Sequence, residues 1–204
     1  KEREGLAPVQ EDLARIDAIR TKEDLRREFA RVSGYSPFVF ATEADPGQST
    51  MNLGQVSQGG LGLPDRDYYF RTDPKSEDLR QFYVGHVARV LVLEGMAPEP
   101  AKDAAGRIMK LETALAESSL SITEQREPEK LYHKMTVKQL QALAPAIDWE
   151  AFFGESGVKA MAGPIAQVDV SMPVFMRQLS GLIEGAPQLK AEHLVHKLRG
   201  ALQL

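Results

Sequence analysis

Gly60-Leu61-Gly62-Leu63-Pro64-Asp65-Arg66-Asp67-Tyr68-Tyr69 is the stretch that decides the reading of this chain, since ten consecutive residues of such mixed character seldom arise by chance. Its glycines open backbone conformations closed to other residues, and Pro64 fixes the exit direction. Asp65, Arg66 and Asp67 can form a charge-assisted network beneath Tyr68 and Tyr69. Charge clusters of this kind are often purely structural. The expectation is therefore a corner that ends a strand and starts a helix, with Arg66 buried against Asp65 or Asp67.

Upstream of the corner, Phe38-Val39-Phe40 and the run from Met51 to Val56 flank Asp45-Pro46-Gly47, whose turn chemistry suits a reversal and predicts a β-hairpin near residues 38–57. Before the hairpin the period is helical. Leu6, Val9, Leu13, Ile16 and Ile19 step by three or four, and Thr21 with Asp24 resembles a capping box opening a second helix through Leu25, Phe29 and Val32, closed by Gly34. Downstream, a long helix is predicted over about 76–94, burying Leu79, Phe82, Tyr83, Val87, Val90 and Leu91, with Gly95 as its stop. A second long helix starts at Pro98 or Pro100, with Ala101, Ala104, Ala105, Ile108, Met109, Leu111 and Leu115 inward, and the two should pair antiparallel. A polar connection over 118–126 leads to shorter helices around Leu131, after the Thr136 cap, and after the Asp148 cap. Val168 to Ser171 reads as extended, Pro173 opens a helix, and a last one begins near Gln188. The predicted class is mainly α: a multi-helix lobe with one small hairpin.

A second stretch, Glu127-Pro128-Glu129-Lys130-Leu131-Tyr132-His133-Lys134-Met135-Thr136, is followed by Leu140 and by Ile147-Asp148-Trp149. Together with the Gly60–Tyr69 corner it resembles the neprilysin family of zinc metalloendopeptidases, which includes neprilysin, the endothelin-converting enzymes and bacterial oligopeptidase O. The matching positions of this segment are Tyr132, Lys134, Met135, Thr136, Asp148 and Trp149; His133 stands where the family usually has Asn. Weaker likeness reaches both ends, at Gly5-Leu6-Ala7-Pro8 and at Pro173-Val174-Phe175-Met176.

The resemblance implies a parent that hydrolyses peptides through a zinc-bound water. The family's zinc motif is His-Glu-x-x-His, two ligands one helical turn apart with a glutamate as general base. It is absent here, as is the family's Asn-Ala-x-Tyr strand. The expectation is that residues 1–204 are part of an N-terminal helical lobe, with the zinc and its catalytic domain elsewhere in the same polypeptide. Lys1 in place of an initiator Met agrees with that expectation. The lobe's implied partners are that catalytic domain and, in the parent, peptide substrates. No cofactor is expected in this chain. Resemblance to bacterial members favours a periplasmic or envelope-bound parent.

Composition narrows the alternatives. A net charge of -4 gives no electrostatic ground for nucleic acid or an anionic membrane as partner. With no cysteine there are no disulfides and no thiolate metal sites. No run of about 20 apolar residues is present. His193 and His196, near Glu192, could grip a transition metal, but two imidazoles fall short of the three protein ligands a catalytic zinc needs, and His86 and His133 are far off in sequence. Gly59, Gly60 and Gly62 lack the lysine of a phosphate loop, and no Gly-x-Ser-x-Gly elbow occurs. Trp149 reads as a core anchor packed with Phe152 and Phe153. Two other readings stay open: an independent all-α module binding a peptide or partner helix in a groove, and a small metal enzyme built on the His193 and His196 pair.

Overall fold

Alternation at Phe38, Phe40 and the apolar positions of the following run gives each strand of the hairpin one face to bury, and Asp45 turns the chain by accepting from the Gly47 N–H at 2.8 Å. In the computed structural model, which describes residues 7, 10–31, 37–155 and 165–185, β1 (Phe38–Asp45) and β2 (Gln48–Gln58) pair antiparallel from Phe38 opposite Gln58 to a bulge at Ala44/Asp45. The hairpin is half of a larger sheet. β3 (Lys134–Thr136) and β4 (Gln167–Val170) extend it to the order β1-β2-β4-β3, with β2 parallel to β4 and β3 antiparallel to β4. The extended stretch expected at 168–171 is thus the strand that joins the two halves. β3 was not expected: three residues carry no readable period, and their pairing is fixed by a segment more than 30 positions away.

Eight α-helices accompany this sheet among the described residues. The first two, α1 (Gln10–Asp17) and α2 (Lys22–Arg31), are joined by the expected capping box: the Asp24 carboxylate accepts from the Thr21 N–H and hydroxyl, and the Asp24 N–H donates back to Thr21 Oγ1. The long pair is α3 (Pro74–Leu93) and α4 (Pro98–Ser118), antiparallel as predicted, with Asp73 capping α3 through the Ser76 N–H and Gly95 at φ +102 ending it. α5 (Pro128–Leu131), α6 (Val137–Leu143), α7 (Trp149–Glu155) and α8 (Pro173–Gly185) complete the set. The helix expected from Gln188, the His193 and His196 pair, and Val32 with the Gly34 stop of the second helix lie outside the described residues.

Two apolar cores result. The larger joins the sheet to α1, α2 and α6–α8 around Phe38, Trp149, Phe152, Phe175 and Met176. Trp149 is fully buried, 5.2 Å from the Phe38 ring and 5.7 Å from Phe152, and its indole N–H donates to the Ala144 carbonyl at 3.1 Å. The smaller lies between α3 and α4 and takes in Leu63 and Tyr69 from the corner. Of the inward positions expected on α3, Tyr83, Val87, Val90 and Leu91 are buried, but Phe82 is 65 % exposed. With 3.6 residues per turn, the face carrying 83, 87 and 90 leaves position 82 about 100° away.

Candidate functional site

Residue by residue, the corner serves an unexpected acceptor. After β2 the chain passes Gly60 at φ +78 and reaches Gly62, whose N–H donates to Glu112 Oε2 at 3.0 Å. The Tyr69 hydroxyl accepts from the Gly62 and Leu63 N–H groups at 3.0 and 3.1 Å and donates to the same Glu112 oxygen at 2.5 Å, while Tyr83 from α3 donates to Glu112 Oε1 at 2.8 Å. Glu112 sits in the middle of α4 with no exposed surface. A buried carboxylate of this kind is tolerable only because donors converge on it. Burial, followed by the nearby Glu112 charge, pushes both phenols above their ordinary range, so each stays a proton donor. Space here is tight: a Cβ on Gly62 would lie 1.8 Å from the Tyr83 hydroxyl oxygen.

The acidic residues and Arg66 have lesser parts than expected. Asp65 accepts from the Asp67 N–H at 2.7 Å and caps a 3-10 turn, Arg66–Tyr69. Arg66 is not a buried ion-pair partner. Its side chain is 27 % exposed, meets Asp67 at 3.4 Å at the surface, donates through Nε to the Ala116 carbonyl near the end of α4, and lies 5.3 Å from the Phe70 ring. Tyr68 is half-buried under the Arg71 guanidinium at 4.7 Å. The cation stays outside because Glu112, 45 or more positions along the chain, already has its donors from tyrosine hydroxyls and a backbone N–H.

The second segment closes the other end of the hairpin. Asp45 is 2 % exposed; its Oδ1 accepts from the Tyr132 hydroxyl at 2.8 Å and its Oδ2 from Lys134 Nζ at 2.6 Å. Those bonds, Lys134 first and then Tyr132, hold the Asp45 carboxyl at about 2, below its ordinary 3.8. Asp169, also buried, accepts from the His133 N–H at 2.7 Å and from Gln55 at 3.4 Å. Met135 packs on the larger core, Thr136 forms a capping box with Gln139 at the start of α6, and Asp148 caps α7 through the Ala151 N–H. Tyr132 and Lys134 thus tie this segment to the hairpin through Asp45, Met135 and Trp149 pack in the larger core, and Thr136 and Asp148 cap α6 and α7.

Between corner and connection lies an open groove of about 270 Å³, bordered by Gln58, Gly60, Leu63, Asp65, Arg66 and Ile122. The Gln58 side-chain amide ties β2 to the chain beyond α4, accepting from the Leu120 N–H at 2.6 Å and donating to its carbonyl at 3.1 Å. Nothing in the groove combines a nucleophile with a base. Among the described residues no group of three His, Cys, Asp or Glu side chains is placed to hold a metal ion. The described residues therefore do not fit a zinc site, and no described helix is long and apolar enough to cross a membrane. Glu112 was not singled out in the sequence, because a mid-helix acid ordinarily faces water and its donors, Gly62, Tyr69 and Tyr83, come from other elements.

The sequence model of Peptidase family M13, in its N-terminal part, matches residues 1–201. Among curated proteins, mouse endothelin-converting enzyme 1 is 35 % identical over 150 residues, which is 72 % of this chain and 19 % of that protein. Among solved structures, zinc metalloprotease Zmp1 of Mycobacterium tuberculosis in complex with an inhibitor superposes with a TM-score of 0.84 at 25 % identity, over 97 % of this chain and 30 % of that one. The same protein in an open state gives 0.80 at 26 % identity. This chain thus spans about a fifth of the length of the curated relatives it matches.

Proposed function

Because this chain belongs to peptidase family M13, we propose that it forms part of the N-terminal helical lobe of a zinc metalloendopeptidase, a lobe that encloses the active-site cavity and limits the size of peptides that enter. The observation that carries this reading is the contrast between a family match over residues 1–201 and a set of described residues in which no group of three His, Cys, Asp or Glu side chains is placed to hold a metal ion. Glu112 and Asp45, two buried acids, are held by tyrosines, a lysine and backbone N–H groups. Such a body supplies a wall. The peptide hydrolysis, the zinc and its ligands then belong to a catalytic domain in the same polypeptide, and the parent to the periplasm or cell envelope.

The test is zinc content and peptidase activity, measured on the 204-residue chain and on the full-length polypeptide. The expected result is about one zinc and peptide hydrolysis for the full-length protein, and neither for the chain alone. One zinc per 204-residue chain that survives dialysis and is lost on His193→Ala would overturn the reading.

A further inference from the structure

Helix α3 buries one face and leaves three large apolar side chains, Phe82, Val92 and Leu93, exposed on its outer surface among Asp78, Gln81 and Arg89. Its inner face, Tyr83, Val87 and Leu91, packs on α4. Its outer face runs through Phe82, Gly85, Arg89 and Leu93, spaced three or four apart and so aligned along one stripe. Phe82 is 65 % exposed, Leu93 75 %, and the neighbouring Val92 40 %. The partner helix does the opposite: the outward positions of α4 are Glu99, Lys102, Asp103, Arg107, Lys110 and Glu117, an ordinary solvated face. Exposed large apolar groups grouped on one helix face mark an interaction surface, whereas single ones scattered over a surface do not.

Gly85 lies on the same stripe. A glycine in a helix interior weakens it relative to alanine but allows a neighbouring backbone to come close. A Cβ at Gly85 would meet only Arg89 Nη1, at 3.6 Å, although Gly106 on α4 is equally open. Gly85 leaves a notch between Phe82 and Arg89, whose guanidinium is 5.7 Å from the Phe82 ring.

We propose that the Phe82–Gly85–Arg89–Leu93 face of α3 is the seam on which another element of the same polypeptide docks, an apolar helix or strand face carrying a carboxylate opposite Arg89. The assignment rests on the reading that the chain is part of a longer peptidase. In the solved relatives this span is only 30 % of the chain, so most of the molecule is available to cover the face. A segment on the same chain also has an effective concentration of roughly millimolar, well above that of a second copy.

The experiment places a single cysteine in the full-length polypeptide at Phe82, at Leu93 or, as a control on the solvated face of α4, at Lys102, and follows maleimide labelling by mass against the unsubstituted protein. The proposal predicts labelling at Phe82→Cys and Leu93→Cys at least 10-fold slower than at Lys102→Cys, at every protein concentration. Equal rates at the three positions would overturn it. Protection that disappears on dilution would also overturn it, by assigning the face to a second copy. Zinc measured on the unsubstituted full-length protein separates the two failures: a zinc protein that labels evenly refutes the seam alone, and a zinc-free protein refutes the peptidase reading.

Discussion

Glu112 is the residue on which the corner depends, and the consequences of its arrangement can be measured one atom at a time. Tyr83→Phe removes a hydrogen bond to a buried carboxylate, an interaction of about 1.5–3 kcal/mol, and should lower unfolding stability by that amount in chemical denaturation. Gly62→Ala forces a methyl against the Tyr83 hydroxyl and should cost about 1–3 kcal/mol through overpacking. Arg66→Ala should be the mildest of the three, about 1 kcal/mol, since it removes a part-exposed contact to one carbonyl and an exposed carboxylate. The reverse ranking, with Arg66 dominant, would restore the ion-pair clamp that Asp65-Arg66-Asp67 suggests in sequence. The corner was visible in Gly60–Tyr69 because glycine, proline and paired tyrosines announce a constrained turn. Its acceptor was not visible, because no local pattern distinguishes a buried Glu112 from the solvated acids on the same helix.

Asp45 gives the pH dependence at this scale. Its carboxyl titrates near 2 in the folded chain and near its ordinary 3.8 when unfolded, so the unfolded state binds the proton first as pH falls. The stabilisation is present above about pH 4 and is lost as pH drops towards 2. Asp45→Asn should flatten the stability profile across that window while leaving its slope at neutral pH unchanged. Denaturation midpoints with the same slope between pH 4 and 2 in both proteins would remove Asp45 as the cause.

Among the elements, helix ends were the most legible features and the sheet the least. Thr21, Asp73, Thr136 and Asp148 each precede an apolar period, and each accepts the N–H its position predicts. Capping is local chemistry, contained within four residues. The four-stranded sheet depends on partners such as Gly54 and Val168, more than 100 positions apart, and only its hairpin could be read from neighbouring residues. The caps also allow a paired prediction. Thr136→Ala should cost about 1 kcal/mol, whereas Ala97→Asp, at the N-cap of α4 where no side chain accepts a bond, should gain about 1 kcal/mol. Thermal melts of the two variants moving in the same direction would contradict the assignment of these ends.

At the scale of the whole molecule, two apolar cores meet at the end of α4, where Leu115 belongs to the larger core and Ala116 to the smaller. On its own, the 204-residue chain presents the outer face of α3 to water and should self-associate in sedimentation; a monomer at all concentrations with a high, cooperative melt would contradict this. In the proposed parent peptidase the lobe acts as a rigid wall, opened by motion between domains on the microsecond to millisecond scale. The most direct measurement compares hydrolysis of a short peptide and of an unfolded protein of about 100 residues by the full-length enzyme, free and with this lobe locked to the catalytic domain by an engineered disulfide. The account predicts cleavage of the short peptide only, and loss of its turnover on locking that returns on reduction. Internal cleavage of the long chain as readily as the short peptide, or turnover unchanged by the lock, would contradict it.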